Sequence, residues 1–263
     1  MLEVIIFIFS GIFIGIAAGL FGLGGGLMIV PVVTYCLTYF SNLPLEQAIV
    51  IGISTSLASM VITGAMAAYA HTKNNNVNYE IVKKFIPGLA VGSLLIGFFI
   101  KNIPGDFLKY FFILYAFFIA YKLFKHQVIL KKSTLPNRWQ SNIIAFLFSI
   151  ISGVVGIGGA TLFVPFLIKK NIPPKLAIGT ASVLGFFIGL GASIAIFIGS
   201  LHSGLQNNIT FGFVYTPAIL FLTLPSLIFI KLSAGWLLQL DDLVIKRLFS
   251  LLLIIIGIMM LLN

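Results

Sequence analysis

Ten apolar stretches, parted by short polar breaks, run along the chain at roughly 4–21, 26–41, 46–70, 84–100, 107–124, 140–156, 160–169, 175–200, 212–231 and 246–262. Several reach or approach the ~20 residues that carry a helix across a bilayer. The runs are continuous rather than alternating, which points to helices and away from a β-barrel. Stretches 26–41 and 160–169 are short for full crossings, and each follows a glycine-rich break: "GLFGLGGG" at 19–26 and "GVVGIGGA" at 153–160. Each reads as the return arm of a hairpin, 4–41 and 140–169, which either spans or re-enters. The opening "MLEVIIFIFS" has no basic n-region and no small-residue cleavage site, so it reads as a first membrane helix.

The pattern occurs twice. Gly19, Gly22, Gly24, Gly25, Val30 and Pro31 align with Gly153, Gly156, Gly158, Gly159, Val164 and Pro165. "NLP" at 42–44 is followed by "GISTS" at 52–56, and "NIP" at 171–173 by "AIGTA" at 177–181, which pairs Thr55 with Thr180. "NNVNY" at 75–79 resembles "NNITF" at 207–211. Each half holds a hairpin and three crossings, so the second half starts on the opposite side from the first. The expected fold is an all-α polytopic membrane protein of two inverted-topology repeats, 1–124 and 140–263, joined by a basic cytoplasmic linker, 125–139. Such repeats are common in secondary transporters and place the substrate site at their interface.

Charge fixes the sides. The chain is 60% hydrophobic and 8% charged, against about 25% charged in soluble domains. Its net charge of +10 could suggest nucleic acid. Walking the chain through the expected crossings instead puts Lys73, Lys83, Lys84, Lys122, Lys125, Lys131, Lys132, Arg138, Lys169, Lys170, Lys175, Lys231, Lys246 and Arg247 on one side, and only Lys101 and Lys109 on the other. That asymmetry marks the rich side as cytoplasmic and puts both termini outside. The charge is a topology signal, with membrane lipid as its partner and no nucleic acid.

Turns inside a membrane leave backbone groups without helical partners, so they must be buried in protein or line a cavity. Glycine permits such turns, and a helix that starts after one offers N–H groups and a positive dipole end to an anion. The candidate substrate contacts are Gly22, Gly24, Gly25 and Gly26 in the first turn, with Gly156, Gly158, Gly159, Ala160 and Thr161 in the second. Thr55 and Thr180 would add hydroxyls, and Pro31 and Pro165 would gate or break the helices. The competing reading of the glycines is tight helix packing, and that of Ser54, Thr55, Ser56, Thr180 and Ser182 is bonding to their own helix backbone. His71, His202 and His126 read as loop-end or loop residues, and Asn75, Asn76, Asn207 and Asn208 as turn formers. All six acids lie in loops or at helix ends, so no carboxylate offers an intramembrane cation site. No HExxH, GxSxG or Cys/His cluster is present, which argues against an enzyme and against a cofactor or metal. Cys36 is the sole cysteine and excludes an internal disulfide.

The paired "GLGGGLMIVP" and "GIGGATLFVP" stretches, each followed by Asn-x-Pro and an Ile-x-Thr segment, resemble the TauE/SafE family of sulfite exporters, also called the toluene sulfonate uptake family. The resemblance covers about 5–262. "GISTS" stands where Ala-x-x-Thr-Ser is more usual, and "HSGLQNNITF" lacks a Gly-x-x-Asp-like turn. The resemblance implies about eight membrane helices, a bacterial cytoplasmic membrane and a small sulfur-containing anion as substrate: sulfite, thiosulfate or an organosulfonate. Export by alternating access is the expected mode. A channel for small anions or neutral solutes, or a non-transporting assembly factor, are the rival classes. The apolar outer faces suit a monomer or a homodimer.

Overall fold

A computed structural model describes residues 2–22, 25–125, 135–201, 206–207, 210–236 and 241–262. Among them the chain forms ten α-helices: α1 (Leu2–Phe21), α2 (Gly26–Phe40), α3 (Leu45–Lys73), α4 (Tyr79–Phe99), α5 (Gly105–Lys125), α6 (Arg138–Val155), α7 (Ala160–Lys169), α8 (Pro174–Ser200), α9 (Thr216–Trp236) and α10 (Asp242–Leu262). A 3₁₀ turn, Ile100–Asn102, extends α4. The apolar stretches therefore correspond one to one with helices. The pattern did not foresee three two-residue strands, β1 (Gln206–Asn207), β2 (Thr210–Phe211) and β3 (Val214–Tyr215), paired antiparallel in that order. Asn207 thus lies in a strand rather than a turn, whereas Asn75 does turn, at φ 55°. Asn208 lies outside the described residues.

Local chemistry sets the boundaries. Asn42 and Asn171, the first residues of the two Asn-x-Pro segments, both adopt a left-handed φ, 51° and 62°. Pro44 and Pro173 then lead into α3 and α8 with nearly the same backbone, φ −54° ψ 139° and φ −53° ψ 140°. Asn78 caps α4 by accepting from the Glu80 and Ile81 N–H groups, and Asn137 caps α6 by accepting from Gln140. These caps match the preference of Asn for the position before a helix.

Among the described residues, six helices are long and apolar enough to cross a membrane: α1, α3, α4 with its 3₁₀ turn, α6, α8 and α9. Their outward side chains include Phe9, Phe13, Leu95, Leu147, Phe197 and Ile228, all exposed. An apolar shell around a packed apolar interior suits hydrocarbon and not water. At 1.5 Å per residue, α2 and α7 span only about 22 and 15 Å, less than the ~30 Å hydrocarbon core. Both hairpins turn inside the bundle: Gly26 at the start of α2 lies against Ser56 and Met60, in the middle of α3.

Small residues set the crossings. Gly11, Gly15 and Gly19 of α1 lie against Leu222, Ser226 and Ile230–Ala234 of α9, so close that any added Cβ would strike backbone. Gly88 and Gly92 of α4 fit against Asn142 and Phe146 of α6 in the same way. This is small-residue packing of membrane helices, and Gly19 belongs to it. One hydrophobic core joins the two halves, with Ile53, Leu57 and Met60 of α3 in it alongside Val155, Ala160, Leu184 and Ile188. At one end of the bundle Gly105 abuts Glu46, Lys101 reaches the Gly199 carbonyl at 3.4 Å and Tyr215 donates to Glu3 at 2.8 Å. At the other end Asn74 donates to the Ala234 carbonyl at 3.3 Å, and Asn142 accepts from the Gly88 N–H at 3.1 Å.

Candidate functional site

The two glycine turns solve the same problem with different bonds. In the first, the Gly22 N–H donates to the Ala18 carbonyl at 2.9 Å and closes α1. Gly25 precedes α2 at φ 80°, and its carbonyl accepts from Met28 and Ile29 at 3.2 and 3.3 Å. Gly24 lies outside the described residues. In the second turn Gly156 takes φ 69°, its N–H bonds the Gly153 carbonyl at 3.1 Å, and Ile157 bonds Ser152 at 2.9 Å. That double closure with a left-handed glycine is a Schellman motif, and a side chain at Gly25 or Gly156 would be strained by the positive φ alone. Gly159 begins α7 in the right-handed region, its carbonyl accepting from Leu162 and Phe163 at 3.1 and 2.8 Å. The first N–H groups of α2 and α7 point back toward the turns without intrahelical partners. Gly22, Gly25, Gly26, Gly156, Gly158 and Gly159 are all buried.

Each turn is seated on the long helix of the other half. A Cβ at Gly22 would lie 2.8 Å from the Ile178 carbonyl of α8 and against the Ser182 hydroxyl. One at Gly156 would meet Ile53 of α3 at 3.1 Å. The turns also touch each other, since a Cβ on Gly26 would stand 2.6 Å from the Gly156 carbonyl. Ser56 sits at this junction. Its hydroxyl lies 2.6 Å from the Gly156 carbonyl and 3.0 Å from that of Gly26, sharing one proton between the two turns. Gly158 and Gly159 face Gly185 of α8, where even an added Cβ would find ordinary contact.

The threonines are joints. Thr55 accepts the Tyr215 N–H at 2.8 Å, just before α9, and Thr180 accepts the Asn78 N–H at 3.0 Å, just before α4. Thr180 also donates to the Leu176 carbonyl at 2.7 Å. Thr161 is fully buried and pairs with the Tyr115 hydroxyl of α5. Neither proline breaks its helix. Pro31 and Pro165 each lie sixth in α2 and α7, which continue through them, so the physical trace is a missing N–H that leaves the Leu27 and Thr161 carbonyls without their usual helical donor. The turns themselves carry no charged side chain, and among the described residues no group of three His, Cys, Asp or Glu could hold a metal. What a ligand would meet here is backbone dipole and hydroxyl. Near the end of the bundle, burial and the Glu3 carboxylate push the Tyr215 phenol above its ordinary range, so it stays a donor.

The sequence singled out the turns and Thr55/Thr180 but not Ser56 as the contact between turns, because its hydroxyl is one of five in two short segments and only packing distinguishes it. It also read His71 as a solvated loop-end residue. His71 is fully buried. His126 and His202 lie outside the described residues.

Apolar crossings, a lipid-compatible surface and two hairpins that bury their glycine turns inside the bundle define a polytopic membrane protein of transporter type. The chain belongs to the sulfite exporter TauE/SafE family, whose profile matches residues 7–260. It is 31% identical over 256 residues, 96% of each chain, to a probable membrane transporter protein of Haemophilus influenzae. A probable membrane transporter protein of Methanocaldococcus jannaschii is 25% identical over 86% of this chain and 83% of its own. A sulfite exporter TauE/SafE family protein of Arabidopsis thaliana matches 31% of this chain and 16% of its own, at 33% identity. No solved structure matches. The protein is thus a multi-pass membrane transporter of this family.

Proposed function

We propose that the protein moves a small sulfur-containing anion, such as sulfite, thiosulfate or an organosulfonate, out of the cell across the cytoplasmic membrane. The observation that carries this reading is the contact of the two glycine turns through Ser56. It seats the start of α2 against the turn that leads into α7, in one buried region without fixed charge where the free N–H groups of the two helix starts are the donors. Such a site favours an anion without holding it as a buried lysine would. The names of the family and of the Arabidopsis relative support the sulfur anion. An inside-negative potential drives a monoanion outward with ~2.3 kcal/mol per 100 mV, so export needs no co-ion.

In this reading residues 1–124 and 140–263 are inverted repeats joined by 125–139, and rocking of one against the other exposes the turns to each side alternately. The matched Asn42/Asn171 and Pro44/Pro173 geometry supports the repeat, and so do the exchanged bonds of Thr55 and Thr180. The basic end faces the cytoplasm and both termini face out. The test is flux of sulfite, thiosulfate, sulfate, sulfoacetate and taurine in proteoliposomes, with and without an imposed potential. One sulfur anion should move saturably and faster with the potential, and Gly25→Leu and Gly159→Leu should abolish that flux while the protein still inserts. Unchanged flux in both variants removes the turns from the site. Silence across the panel with folded protein removes the substrate class.

A further inference from the structure

Two polar side chains at the α3–α4 junction are buried with nitrogens that have no hydrogen-bond partner among the described residues. His71, in the last turn of α3, is fully buried, and neither Nδ1 nor Nε2 has a hydrogen-bond partner among the described residues. Asn76 is 8% exposed, and its amide Nδ2 lacks a partner as well. The backbone that carries them is pinned. The Asn76 N–H donates to the His71 carbonyl at 2.9 Å, and the Asn76 carbonyl lies hard against Gly179 of α8. Asn74 holds the end of α9 through the Ala234 carbonyl, and the Asn78 N–H bonds Thr180 of α8. One turn before His71, Ala67 packs on Ala18 of α1 and Ile230 of α9. The Gly19 backbone lies beside the imidazole without meeting hydrogen-bond geometry.

Unmade bonds of this kind call for a reason, because leaving a buried donor unsatisfied costs about 1–3 kcal/mol. An imidazole offers at least one N–H in either protonation state, and a carboxamide offers two. Unmatched donors ask for a ligand that brings acceptors. The charged groups at this end are mixed: Lys73 on α3 and Lys231 on α9 are exposed cations, Glu80 on α4 and Asp241 before α10 are exposed acids, Asp242 begins α10, and the last turns of α1 and first turns of α8 add no carboxylate. Gly22, which closes α1, follows Gly19 by less than one turn, so the junction adjoins the first glycine turn.

We propose that His71 and Asn76 form a binding site for a small free oxyanion, the station at which the anion is held between this end of the bundle and the glycine turns. The inference builds on the transport reading and adds where the substrate is first desolvated. Its test uses the full-length protein in phosphatidylcholine nanodiscs, titrated calorimetrically with thiosulfate, sulfite and sulfate, beside flux measurements on the same preparation. At least one anion should bind, and the double variant His71→Leu/Asn76→Leu should weaken it by about tenfold or more, as expected for two lost donors, with a matching rise in the KM of flux. Binding and KM unchanged in the double variant overturn the site and leave the transport reading intact. Binding without flux overturns transport and keeps the site, and no binding of any of the three anions overturns the site. If the double variant does not fold, ¹⁵N-histidine spectra settle the matter in a His126→Gln/His202→Gln background: the His71 ring resonances should move on adding the anion, and fixed resonances overturn the proposal.

Discussion

At the scale of single residues, the hydroxyl of Ser56 and those of the paired threonines do different work. Ser56→Ala strips the Gly156 carbonyl of its short donor at a place where no water-filled surface can replace it. The expected result is a lower thermal midpoint and reduced flux, and rescue of both by Ser56→Thr is not expected, because Gly26 and Met60 crowd the site. Thr180→Val leaves the Asn78 N–H without its acceptor, and Thr55→Val does the same to Tyr215. Each should cost about 1 kcal/mol or somewhat more in chemical unfolding, and the two losses should be similar in size. Gly26→Leu places a side chain into the Gly156 carbonyl and the Met60 sulfur. It should eliminate flux at unchanged membrane abundance, measured by transport assay beside quantitative immunoblotting.

At the scale of elements, caps and turns decide where helices begin. Asn78→Ala removes the acceptor for two N–H groups at the start of α4 and should lower stability by about 1 kcal/mol, read by thermal unfolding. The sequence showed all ten helices because lipid demands long apolar runs, and those runs need no tertiary knowledge to be seen. Boundaries were harder. The apolar signal for α4 begins at 84, but the helix begins at Tyr79, because its first turns carry Glu80, Lys83 and Lys84 on an exposed face. The strands before α9 escaped notice because two-residue pairings leave no periodicity. The glycine turns were legible as turns, while their contact through Ser56 was not, since it joins residues a hundred positions apart. Burial of His71 was hidden for the same reason: it depends on how α1 and α9 pack around α3.

At the scale of the molecule, the ends of the helices sort into two sets, and this makes orientation measurable. In a Cys36→Ser background, Asn102→Cys should react with a membrane-impermeant maleimide added to intact cells. Lys84→Cys should react only after permeabilisation. Both positions are exposed and lie at opposite ends of the crossing that α4 and its 3₁₀ turn form. Labelling in the reverse order would invert the assignment of the cytoplasmic face and leave the direction of a monoanion, which the potential sets, unchanged.

The exchange of bonds between Thr55 and Tyr215, and between Asn78 and Thr180, also has a bearing on how the chain is made. Synthesis runs from the N-terminus, so Asn78 is made 102 residues before Thr180, and Thr55 160 residues before Tyr215. During that interval the first half sits in the bilayer with its first glycine turn unseated and its α4 entrance untied. The insertion machinery must therefore shelter a half-built protein, and truncated chains ending near 124 should be degraded rather than accumulate. Supplying the missing half as a separate polypeptide in the same cell should protect them.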